Sequence, residues 1–218
     1  LDVLEPAYET LGQPRKQLEL MKVRLELSRD ARERARLLGR MASLEEEKLG
    51  EPDAALHSRS RALEEWPEDQ AGLDHIERLA DRTQRWAEAA ARLGGVLDRG
   101  VTSDSARAIG LLRARWLHER MGDAAAAEAA LRAVLEIEAG CADALDRLET
   151  LARASGEAPR IVEVLDRRLE HEHSQERRHP LLREAAGLRE SALHDPEGAM
   201  THWRGVLDLD GRDAEAHA

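Results

Sequence analysis

The chain has 218 residues and a formal net charge of −11, a balance that disfavours phosphate-rich partners, because nucleic-acid binding needs local positive charge. It has a single cysteine, so no internal disulfide forms, and no apolar run approaches the length of a membrane span. Ala, Leu, Arg and Glu dominate; all are good helix formers, and no β-branched residues alternate over a strand length, so an all-α protein is predicted.

Leu1, Leu4, Ala7, Tyr8 and Leu11 fall at helical spacing on one face, predicting a first helix over 1–11. Gly12-Gln13-Pro14 ends it: Gly suits a left-handed cap and Pro the first turn of the next helix. A second helix over 15–27 turns Leu18, Met21 and Leu25 inward. Asp30 with Glu33 has capping-box spacing and opens a third helix, which runs to Leu49. Gly50-Glu51-Pro52 breaks the chain, and a fourth helix follows to Trp66.

The same order then returns. Leu1-Asp2-Val3-Leu4 matches Leu73-Asp74-His75-Ile76 and Leu145-Asp146-Arg147-Leu148, a step of 72 residues each time. Leu37, Ile109 and Leu181 open matching stretches at the same step. A pattern returning at a fixed step without gaps points to a repeat solenoid. The expected organisation is one domain over 1–218, in units 1–72, 73–144 and 145–216, each of two helical hairpins. The chain opens inside a helical pattern and stops where a fourth unit would begin, so a segment of a longer array is expected. None of the three units is net basic.

Small side chains recur where helices must cross closely: Ala42, Ala114 and Ala186 in the third helix, and Ala55, Ala127 and Ala199 in the fourth. Ala62, Val134 and Val206 are also compact. On these residues, with the Gly50-Glu51 and Gly122-Asp123 turns and Pro67, the second hairpin of each unit resembles a tetratricopeptide repeat (TPR). The first hairpins match more loosely, and the aromatic that the family places in its first helix is missing. The resemblance implies a right-handed α–α superhelix of about twelve antiparallel helices, a TPR-like solenoid. It also implies a non-enzymatic scaffold or adaptor whose concave groove binds a peptide or protein partner. A structural spacer within a larger bacterial protein is the alternative, and a metal or enzymatic module the weaker one. The strong excess of Arg over Lys suggests a bacterial coding bias.

One acidic pair repeats: Asp2 and Glu5, Asp74 and Glu77, Asp146 and Glu149. Residues three apart share a helix face, so stacked units would form a carboxylate ladder. It is read either as a stripe for a basic segment of a partner or as a solvated face. His171, Glu172, His173, His179, His194 and His202 lack the spacing of metal ligands. Cys141 has no evident base beside it, and Gly94-Gly95 lacks the context of a phosphate loop. No catalytic residue, cofactor or metal is expected, nor nucleic-acid binding or membrane insertion. The lone cysteine is compatible with a reducing cytoplasm, the favoured location. Oligomeric state, partner and pathway are not legible.

Overall fold

A computed structural model of the protein describes residues 4–213, 216 and 217. Among these residues there are twelve α-helices and no strand. They are α1 (Leu4–Thr10), α2 (Pro14–Leu27), α3 (Ala31–Leu44), α4 (Pro52–Glu65), α5 (Gln70–Thr83), α6 (Trp86–Asp98), α7 (Ser103–Glu119), α8 (Ala124–Ile137), α9 (Ala142–Ser155), α10 (Ala158–His171), α11 (Gln175–Ser191) and α12 (Pro196–Leu209). The all-α expectation holds. The chain divides into two compact bodies, Leu1–Asp123 and Ala124–Ala218.

The helix ends follow from local chemistry, and they recur at the step of 72. Gly12, Gln84 and Gly156 each hold the left-handed conformation behind α1, α5 and α9. Asp30 and Thr102 accept a backbone N–H at the starts of α3 and α7, from Glu33 and Ser105. Asp69 accepts from Gly72 at the start of α5, and Asp213 accepts from Ala216. Cys141 occupies the matching place before α9, where it is buried.

The turn after the third helix of each repeat has one design. The N–H of Glu51, Asp123 and Asp195 reaches back to the carbonyl of Glu45, Leu117 and Arg189, at 2.8, 2.8 and 2.9 Å. Each bond spans six residues, one more than the 6→1 bond of a Schellman cap, and it satisfies a carbonyl left over at the helix end. Gly50, Gly122 and His194 supply the turn's left-handed residue. In the first repeat, α3 runs on through a π-helical turn, Glu45–Leu49. Pro180 lies inside α11. Gly94 and Gly95 leave α6 unbroken; Gly94 receives the Arg113 guanidinium, whose Nε donates to the Ala90 carbonyl at 3.2 Å.

In the first body, α3 packs along α4 and α4 against α5. One cluster joins Leu18, Met21, Leu25, Leu37, Leu38 and Met41 to Ala62. A second gathers Leu56, Leu63, Leu73, Ile76 and Leu79 with Trp86, Leu93 and Trp116. Each fully buried aliphatic side chain contributes about 1.5–3 kcal/mol. Trp116 meets Trp86 edge to face, centroids 5.6 Å apart, so these two tryptophans are core. In the second body α11 packs along α12, and α9 against α8 and α10. The core there includes Leu165, Leu169, Leu182 and Val206. The small residues Ala42, Ala55, Ala114, Ala127, Ala186 and Ala199 are all buried, as close helix crossing requires.

Candidate interaction groove

One open cavity of about 970 Å³ lies wholly within the first body. Its main wall is α3. Arg36, Gly39, Arg40 and Ser43 line it together with Glu47 in the π turn; steps of three and four residues put them on one helix face. Glu9 and Gly12 come from α1 and the turn behind it, and Pro14, Gln17 and Met21 from α2. Arg59 of α4, Trp66 and the cap residue Asp69 close the far side. The apolar part is Met21 and Ala35, both buried, with the half-buried Leu44.

Arg59 is the unusual member. Its side chain is half-buried, and Nη2 donates to the Gly39 carbonyl at 3.3 Å. A Cβ on residue 39 would stand 2.8 Å from Arg59 Nη1, so the glycine makes room for the guanidinium. Nε is buried with no hydrogen-bond partner among the described residues. Burial pushes Arg59 down from the ordinary arginine value, against the pull of Asp69 and Glu46. Neither carboxylate pairs with it. Asp69 caps α5, and Glu46 is held by Arg78 and Arg82.

The ladder carboxylates sit elsewhere in the electrostatics. Asp2 lies outside the described residues. The Glu5 side chain is only 10% exposed and accepts from Arg24 at 2.7 Å and from Arg40. Glu77 accepts from Arg115 at 2.6 and 2.5 Å. Glu149 accepts from Arg153 at 2.7 Å and from Arg168. Burial alone would raise the Glu149 carboxyl; the bonds from Arg153 and Arg168 outweigh it and hold it below the usual range. Asp74 and Asp146 are exposed, and Asp146 pairs with Arg168 at 2.7 Å. The glutamates therefore tie helices together, each neutralised by arginine.

The histidines are not gathered. His202 meets Asp166 at 2.8 Å, His179 lies 3.3 Å from Asp213, and exposed His194 forms a turn. No group of three or more His, Cys, Asp or Glu is placed to hold a metal ion among the described residues. Among them, too, no helix is long and apolar enough to cross a membrane. Arg59, Gly39 and Arg36 carry the groove yet were not singled out from the sequence. One signal was available: a step of 72 from Arg59 falls on Leu131, a buried position.

The hairpins themselves decide the class, because α3–α4 and α11–α12 are close antiparallel pairs crossing at buried alanines. The protein is built of TPR-like helix hairpins. No protein-family model matches the chain, and no curated protein does. Solved structures similar to it include YrrB, a TPR protein with an unusual peptide-binding site, at 14% identity and a TM-score of 0.43, covering 92% of this chain and 97% of that one. Another is PilF of Pseudomonas aeruginosa, at 15% identity and a TM-score of 0.42, covering 98% and 92%. MamA is similar at 14% identity and a TM-score of 0.40, covering 79% and 96%. Likeness at this level has no bearing on what this TPR-like chain binds.

Proposed function

We propose that the chain is a non-enzymatic protein-interaction scaffold, and that the groove of the first body is where a peptide or protein segment docks. The supporting observation is the groove itself: about 970 Å³, walled by one face of α3, with an apolar floor and with Arg36 and Lys48 exposed in its lining. A preformed wall of packed helices loses little entropy on binding, which favours recognition of an extended segment.

Peptide display against the whole chain tests this reading. Ser43 faces the groove and is half-buried, so Ser43→Trp fills the space. Peptides selected on the native protein should bind Ser43→Trp at least about tenfold more weakly. Undiminished binding by a folded Ser43→Trp would remove the groove as the docking site. Failure to select any peptide would favour the spacer reading.

A further inference from the structure

We propose that the groove selects an acidic peptide segment, with Arg59 as the anchor for one of its side-chain carboxylates. The proposal rests on the docking reading above and names the partner's chemistry.

One step of 72 on, the position of Arg59 is Leu131, 1% exposed, and the position of Gly39 is Leu111. A long cation thus replaces a core leucine, and the residue facing it has been cut back to hydrogen. Such a substitution is costly unless something is gained, because a desolvated guanidinium needs a partner. Arg59 has one long bond to a carbonyl, an unpartnered Nε and no ion pair among the described residues. A guanidinium presents its donors in a planar fork that fits a carboxylate with two parallel bonds.

The surrounding charge fits an anion. Arg36 and Lys48 line the same groove, exposed and without ion-pair partners among the described residues. No acid of the lining makes an ion pair with Arg59 among the described residues: Asp69, whose charge pulls on it, is engaged as a helix cap, and Glu9 and Glu47 are exposed. Charge at the less exposed position counts for more, since the local dielectric is lower there. The groove therefore favours a partner of opposite sign to the basic segment that the ladder Asp2, Glu5, Asp74, Glu77, Asp146 and Glu149 suggests from sequence. The described ladder glutamates are already matched by arginines.

The test uses the whole chain and short fluorescent peptides, acetylated and amidated so that termini carry no charge. They share one apolar pattern and differ only in bearing Glu, Gln or Lys at the polar positions. Anisotropy should show the Glu peptides binding at least about tenfold more tightly than the Gln peptides. Arg59→Leu places the next repeat's residue at this site and is expected to fold. It should abolish the Glu-over-Gln preference, and Arg59→Lys should restore part of it. Equal binding of Glu and Gln peptides, tighter binding of Lys peptides, or an intact Glu preference in Arg59→Leu would overturn the proposal while leaving a docking groove in place. Binding only by a Gln peptide with a free C-terminus would overturn the side-chain assignment in favour of a terminal carboxylate. No binding by any peptide would overturn the docking reading as well.

Discussion

The Arg34 guanidinium donates to the Leu25 carbonyl at 2.8 Å, locking the corner between α2 and α3. The same group reaches the Ser28 carbonyl at 3.4 Å and Glu65 at 2.7 Å. Two repeats on, Arg178 does the same to the Leu169 and Glu172 carbonyls, at 2.5 and 2.8 Å. The middle repeat has Ala106 at this place. A helix leaves its last carbonyls without partners inside the helix, and in two of three repeats one arginine satisfies them. Arg34→Ala should therefore lower stability by about 1–2 kcal/mol, read as a lower urea midpoint with an unchanged slope. A midpoint equal to that of the native chain would show that water replaces the arginine at no cost.

Gln84 and His194 hold left-handed backbone, with φ of 56° and 52°, where the other repeats have glycine. A side chain with a Cβ costs roughly 1–2 kcal/mol in that conformation. His194→Gly should gain about 1 kcal/mol. Gln84→Gly should gain less, because Gln84 Nε2 donates to the Asp81 carbonyl. Thermal unfolding of the two variants measures the difference; destabilisation by His194→Gly would contradict the cap assignment.

Glu45 and Glu149 should move stability in opposite directions with pH. Burial raises the Glu45 carboxyl above its ordinary value, against a weaker hydrogen bond from Ser58. A raised carboxyl stabilises most below its unfolded value and loses that contribution as pH rises. Glu45→Gln should therefore stabilise at neutral pH, the gain vanishing as pH falls toward about 4. Glu149 is held below the usual range, so its contribution is present at neutral pH and lost as pH falls through its folded value. Glu149→Gln should destabilise at neutral pH and converge with the native chain in acid. Urea midpoints measured across this range test both signs.

The helices, their caps and the small residues at crossings were legible because each is written locally. Asp30 with Glu33, Gly50 before Pro52, and Ala42 recurring as Ala114 and Ala186 need no knowledge of tertiary contacts. The ion pairs were not legible in that way. Glu77 meets Arg115, which lies 38 residues away, and from sequence a glutamate on a helix reads as solvated. Arg59 was missed for the same reason: an arginine in a helix looks like surface until its register is compared with Leu131. The carboxylate ladder was visible as a pattern, but its neutralisation by Arg24, Arg40, Arg115, Arg153 and Arg168 required the packing of neighbouring helices.

Backbone amide mapping of the isotope-labelled whole chain, titrated with Glu-bearing capped peptides, tests the groove most directly. The groove account predicts saturable shifts at Arg36, Gly39, Ser43 and Arg59, with Arg59 side-chain resonances moving most. Shifts centred on the second body, or on Asp74 and Asp146 with the groove silent, would contradict it.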